Sequence, residues 1–346
     1  MRNIKSLFHI NIPTNHFEEM IRFYVDICGF DQAFIITQAD MKRMFGQPVL
    51  EGDEKIAKNT YIRVNPHSYI ELHNIDPAEK IIRCDPASAF HHFAVLTEDL
   101  EKTCRNMAAK GYPLINDPLN KKPVQLNPFL PHVGEDGCLI AWMEDPDGHF
   151  IEVMQLSGTT MQEQFENENP IEDALAYCSG KEFKNFNHLF HLALHVTDLE
   201  RSVAFYNKLG CEKVFSLDFP DGRPWLTYVR LNKLQYLELF QIYPDHPMTP
   251  RDHVSHEKDD FFGHLSFLVP DIYKAATDWA EKGVHVVYAP FKPEPMPLED
   301  DSVIRGRVGA DRNYICWVND PDGNWVEIME ELDDSWQKVF EENTPF

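Results

Sequence analysis

The chain has 346 residues, 43% of them hydrophobic and 25% charged, the composition of a soluble globular protein with room for roughly two domains of about 150 residues. Acidic residues number 56 against 32 basic ones, a formal net charge of −24. That balance excludes the basic face that nucleic acid or an anionic membrane surface requires.

Seven cysteines without a CxxC pair exclude a disulfide framework and a cysteine zinc site, and fit a reducing compartment. The opening MRNIKSLFHINIP lacks the apolar stretch of a signal peptide, and no run of about 18 uncharged apolar residues follows. A cytoplasmic protein without membrane or nucleic-acid partners is expected, as a monomer or homodimer.

FHINIPTNHFEEMIRFYVDICGF (8–30) reads as a strand carrying His9, then a helix whose apolar stripe ends in Phe-Tyr at Tyr24. YIRVNPHSYIELHNI (61–75) reads as two strands around a polar turn, with Glu71 and His73 in the second. HHFAVLTEDLEKTCRNMAAKGYPLI (91–115) is again strand then helix, with His92 in the strand and Gly111 closing the helix. A long Pro-containing loop over 119–137 precedes EDPDGHFIEVMQL. There Asp-Pro-Asp-Gly suits a type I turn into a strand holding Glu152.

After a polar connection over 158–184 the order returns. FHLALHVTDLERSVAFYNKLGC (190–211) carries His191 and Tyr206, and residues 227–242 carry Glu238. GHLSFLVPDIYKAATDWAEKGVHVV (263–287) carries His264. A Pro-rich loop over 291–312 leads into NDPDGNWVEIMEE with Glu327. The chain is thus four strand–helix–strands units of about 75 residues. They form two tandem halves: 1–157 (units 1–78 and 79–157) and 185–335 (units 185–248 and 255–335), joined by 158–184. Loops as long as 119–137 and 291–312 are expected to serve as lids.

Alternate residues of a strand share a face. Each unit opens with a His in its first strand, His9, His92, His191 or His264, and closes with a Glu in its last, Glu71, Glu152, Glu238 or Glu327. A carboxylate inside an apolar strand is costly unless something pairs with it. Two units curling together would place two imidazoles and two carboxylates in one interior, a donor set for Zn, Ni, Co, Mn or Fe. Units pair either within each half or crosswise; in the crosswise case His9 and Glu71 share a metal with His264 and Glu327. His73 is read as a surface residue, His91 as structural, and Trp142, Trp317, Tyr24 and Tyr206 as core.

These residues resemble the vicinal oxygen chelate superfamily, the group of glyoxalase I, extradiol dioxygenases and bleomycin-resistance proteins. The marks are HVTDLERSVAFY, HFAVLTEDL and the two DPDG-x(3)-E hairpins, and the match spans nearly the whole chain outside 158–184 and the C-terminal tail. The resemblance implies an α+β fold of four βαβββ modules forming two glyoxalase-like domains with cupped mixed sheets. It also implies a divalent metal and a small-molecule substrate. Glu71 and Glu238 fill the position that dioxygenases leave without a ligand. The implied activity is a lyase or isomerase acting by proton abstraction and a metal-chelated enediolate, with Glu152 and Glu327 as catalytic carboxylates. An Fe(II) ring-cleavage dioxygenase and a non-catalytic drug-binding protein are the alternatives. Glyoxalase I carries an Arg four residues after its first His; Pro13 and His195 stand there here.

Overall fold

The structure, a computed structural model, describes residues 4–76, 78, 90–172, 184–241, 263–290 and 292–346. Cys84, Cys178, parts of the 158–184 connection and the boundaries expected near 79, 248 and 255 lie outside the described residues. The first module contains β1 (Ser6–Thr14), α1 (Phe17–Arg22), β2 (Asp31–Thr37), α2 (Gln38–Met44), β3 (Ala57–Asn65) and β4 (Ser68–Asn74). The second contains β5 (Phe90–Leu96), α3 (Leu100–Ala109), the short β6 (Gln125–Leu126), β7 (Phe129–Leu130) and β8 (His132–Val133), then β9 (Leu139–Glu144) and β10 (Phe150–Gln155). Helix α4 (Met161–Glu168) follows.

The third module has β11 (His188–Val196), α5 (Leu199–Leu209), β12 (Glu212–Asp218), β13 (Pro224–Asn232) and β14 (Gln235–Gln241). The fourth has β15 (His264–Leu268), α6 (Ile272–Glu281), β16 (Val286–Ala289), β17 (Lys292–Pro295), α7 (Ser302–Arg305), β18 (Asn313–Asn319) and β19 (Trp325–Glu331). Helix α8 (Trp336–Asn343) closes the chain.

Local chemistry sets the ends of the elements, with the closing glycine and the DPDG turns acting as the sequence reading expects. Asp99, Asp198 and Asp271 cap α3, α5 and α6, each accepting a backbone N–H three residues on. Gly111 and Gly283 adopt positive φ just past α3 and α6. In both DPDG turns the glycine N–H donates to the carbonyl of the first aspartate, Gly148 to Asp145 at 3.0 Å and Gly323 to Asp320 at 3.1 Å.

The strands form two large mixed sheets, ordered β17-β16-β18-β19-β15-β1-β4-β3-β2 and β12-β13-β14-β11-β5-β10-β9-β8. Neither sheet is built from one sequence half. Modules 1 and 4 share the first sheet through antiparallel β1 and β15; modules 2 and 3 share the second through antiparallel β5 and β11. The crosswise alternative is the one the chain adopts. Inside each module the opening strand runs parallel to the closing one.

Strand alternation divides the apolar residues between two kinds of core. Leu7, Ile10, Phe93, Val95, Leu192, Leu194, Phe267 and Ile328 face away from the cups. With the helices they fuse both sheets into one buried cluster. Separate clusters line the two concave faces, around Phe8, Tyr61 and Met329 in the first sheet and Phe190, Trp142 and Tyr228 in the second.

Helices α4 and α8 hold equivalent places. Glu166 of α4 pairs with buried Arg230 at 2.9 Å and accepts from the Tyr236 hydroxyl at 2.7 Å. Glu341 of α8 accepts from the Tyr69 hydroxyl, and the carbonyl of Thr344, just beyond α8, accepts from Arg63 at 2.6 Å. Residues 161–168 of the connection are therefore part of the repeat.

Candidate metal centres

The register explains why each module delivers one His and one Glu to the same point. In all four, the closing Glu lies beside the residue two after the His: Asn11 with Glu71, Ala94 with Glu152, Ala193 with Glu238 and Ser266 with Glu327. Two steps along a strand keep the same face, so imidazole and carboxylate point together into the concavity.

The antiparallel seams then bring two such pairs into contact. In the first cup His9 Nε2 lies 2.9 Å from His264 Nε2. Glu71 Oε2 approaches the two imidazoles at 3.3 and 3.5 Å, and Glu327 Oε2 at 3.3 and 3.6 Å. In the second cup His92 Nε2 lies 2.9 Å from His191 Nε2. Glu152 Oε2 stands 3.4 and 3.2 Å from them, Glu238 Oε2 3.2 and 3.4 Å. All eight residues singled out in the sequence converge, four to a cup.

Donor atoms bound at about 2.1 Å to one ion stand about 3.0 Å apart at right angles and about 3.4 Å apart in a tetrahedron. The imidazole–imidazole and imidazole–carboxylate edges of 2.9 to 3.6 Å fit either arrangement, and the four donors of the second cup lie within 4.8 Å of one another. Two hard oxygens and two imidazole nitrogens suit a divalent transition metal. Seven of the eight residues are buried, His264 being the half-buried one, so each cup is a buried cluster of carboxylates and imidazoles. Such a group needs a cation.

The electrostatics agree. Burial alone would raise the Glu152 and Glu327 carboxyls, but hydrogen bonds and charge from the paired imidazoles overcome it and hold each at about 2. Burial would lower His92, yet Glu152 and Glu238 bring it to about 9. His9 is raised against its burial by Glu71 and Glu327. Each cup is shaped for positive charge at its centre.

The surroundings differ between cups. A cavity of about 360 Å³ opens over the first, lined by Met41, Met44 and Phe45, by Pro13 and His73, and by Arg307 from the 291–312 loop. Arg307 is half-buried, its Nε has no hydrogen-bond partner, and it forms no ion pair among the described residues. A cavity of about 500 Å³ opens over the second, walled by Trp225, Phe240, His91 and the 119–137 loop. Among the described residues no Lys or Arg lines it. Both long loops thus wall cavities.

Residues outside the donor sets also meet the cavities. His73 lines the first cavity; it shares the face of Glu71, which was the signal for it. His91 shares a close contact with the other ring nitrogen of His92, Nδ1 to Nδ1 at 2.5 Å. Trp142 and Trp317 stand edge-on to His92 and His264, both at 4.8 Å, and wall the cavities. Tyr24 and Tyr206 are buried as expected, and each also donates to a DPDG aspartate, Asp145 at 2.7 Å and Asp320 at 2.9 Å.

Paired βαβββ modules curled around two imidazoles and two carboxylates define a class of metal-chelating cup proteins. The chain belongs to the Glyoxalase/Bleomycin resistance protein/Dioxygenase superfamily, whose family model matches residues 6–153 and 188–328. The lactoylglutathione lyase of Schizosaccharomyces pombe is 26% identical over 258 residues, covering 71% of this chain and 68% of that protein. Glyoxalase I from Zea mays superposes with a TM-score of 0.58 at 19% identity, covering 99% of this chain and 97% of that one. A putative dioxygenase from Bacillus subtilis does so with a TM-score of 0.58 at 11% identity, covering 99% and 91%. The α+β class and the cupped mixed sheets are as the sequence resemblance implies. Among the described residues no helix is long and apolar enough to cross a membrane, and five buried cysteines are free.

Proposed function

We propose that this chain is a metal-dependent lyase or isomerase of the glyoxalase I type, active on small oxygen-rich substrates such as α-hydroxyketones or hemithioacetals. One observation carries the reading: in the second cup two imidazoles and two carboxylates lie within 4.8 Å of one another, and in the first two imidazoles and Glu71 do so, with Glu327 against both imidazoles. Glu71 and Glu238 fill the place that a 2-His-1-carboxylate dioxygenase leaves open, which supports proton transfer over oxygen chemistry. The relatives named lactoylglutathione lyase support the same reaction class. Pro13 and His195 replace the arginine used on glutathione, so glutathione is no part of the proposal. We take 1–157 and 185–335 as the duplicated units and the cytoplasm as the location.

His9, Glu71, His264 and Glu327 would hold a divalent ion in one cup, and His92, Glu152, His191 and Glu238 in the other. Zn, Ni, Co, Mn or Fe there would supply Lewis acidity to two neighbouring substrate oxygens. Glu327 and Glu152 are the proton-carrying residues: each is buried, ionised and, among the described residues, paired only with imidazoles. Trp317 and Trp142 wall the approach to the carboxylates. Arg307 suits a carboxylate or phosphate on a substrate entering the first cup.

Protein purified without chelator is expected to carry about two equivalents of transition metal by elemental mass spectrometry, and His9→Ala and His191→Ala to lose about one each. Glu152→Gln with Glu327→Gln should lower turnover by about 10²-fold or more with little change in Tm. An unchanged rate in that double variant would sink the mechanism. Iron in one cup with oxygen uptake on a catechol would favour the dioxygenase.

A further inference from the structure

The two donor sets match, but their supports do not. In the first cup Glu71 is gripped at both oxygens: Asn11 Nδ2 donates to Oε2 at 2.7 Å and Asn59 Nδ2 to Oε1 at 2.5 Å. All three side chains are buried. In the second cup the register places Ala193 beside Glu238, where Asn11 lies beside Glu71. Leu226 stands two residues before the tyrosine opposite Glu238, where Asn59 stands two before the tyrosine opposite Glu71. Neither replacement can donate, and the contacts recorded for Glu238 Oε2 are to the imidazoles of His92 and His191.

A second feature fits the first. Gly263 occupies the position that His91 holds in the other cup, one residue before the ligand histidine. A Cβ on Gly263 would lie 1.9 Å from Asn11 Oδ1. The missing side chain leaves the space in which the Asn11 carboxamide sits.

Carboxamides that orient a ligating carboxylate act through it, and losing such support costs 10- to 100-fold in metal affinity. We propose that Asn11 and Asn59 are positioning residues that fix Glu71 as a permanent ligand, so that the first cup releases its metal more slowly than the second. The inference rests on the metal-site reading above. Within the first cup it leaves Glu327 as the carboxylate able to leave the ion. In the second cup, among the described residues, neither carboxylate is held by a side-chain amide.

The test follows zinc transfer from fully loaded protein to excess chromophoric chelator. The wild type should release in two phases. Asn11→Ala with Asn59→Leu, which copies the second cup, should speed the slow phase about 10- to 100-fold and leave the fast phase unchanged. Gly263→Ala should speed the same phase by crowding Asn11 while both asparagines remain. Leu226→Asn should slow the fast phase, a gain that misfolding cannot produce. Release curves for Asn11→Ala with Asn59→Leu and for Gly263→Ala that overlay the wild type would overturn the inference and leave the metal sites standing. A wild type that takes up no zinc would overturn both.

Discussion

His188 is a buried residue outside both donor sets, and it gives the clearest acid response. Its Nε2 donates to the Leu234 carbonyl at 2.9 Å, and burial lowers its pKa to about 4. An unfolded histidine titrates near 6.5. Between those values the unfolded chain binds a proton that the folded chain refuses, so stability rises with pH there. The contribution is complete above about pH 6.5 and is lost as pH falls toward 4, a loss of about 3 kcal/mol. Replacing His188 by Gln should flatten that part of the pH–stability curve measured by urea unfolding. An unchanged slope between pH 6.5 and 4 would rule it out.

At this scale the sequence was most legible for the ligands. A His and a Glu recurring at equivalent strand positions stand out because burial makes them costly. Supporting groups such as Asn11, Asn59 and His91 carry no such mark. Their meaning depends on which strand lies alongside, and no single-strand periodicity tells that. Trp142 and Trp317 are core as read, and their second role was hidden because an aromatic residue on the concave face packs the core and walls a cavity with the same surface.

Among the elements, the DPDG turns do more than reverse the chain. Their first aspartates each receive a tyrosine hydroxyl from the helical segment of the preceding module: Asp145 from Tyr24, Asp320 from Tyr206. Their second aspartates receive His16 at 2.5 Å and, at the matching turn, Ser202 at 3.0 Å. Each turn therefore ties one sheet to the other. Burial raises Asp320 to about 6, against the hydrogen bonds from Asn324 and Tyr206. Removing a donor from such a group costs about 1–3 kcal/mol. Tyr24→Phe and Tyr206→Phe should each lose that much in urea unfolding while leaving metal content unchanged. A cost near zero for both would show that the hydroxyls do not hold the sheets. The sequence showed the turns and the helix-closing glycine, whose chemistry is local. It did not give away the ties, which join residues more than 110 positions apart.

For the whole molecule, the decisive fact is that each sheet takes one module from each half. The four-fold repeat was readable from recurring motifs. The choice between pairings was not, because each module offers the same opening strand to either partner. A protease site placed between residues 173 and 183 tests the arrangement. After cleavage the two pieces should still elute together at the size of the intact chain and keep their metal, separating only in denaturant. Elution as two half-sized species would contradict the shared sheets.

The same seam has a consequence during synthesis. Strand β1 leaves the ribosome first, and β4 can cover one of its edges within the first module. The other edge belongs to β15, so it has no partner from residue 14 until residue 264 has been made. The second sheet, from modules 2 and 3, can close sooner. For most of translation the nascent chain therefore presents a bare, apolar strand edge, the surface most prone to pair with a neighbouring polypeptide. Its yield in a cell should depend on how well that edge is shielded before the last module arrives.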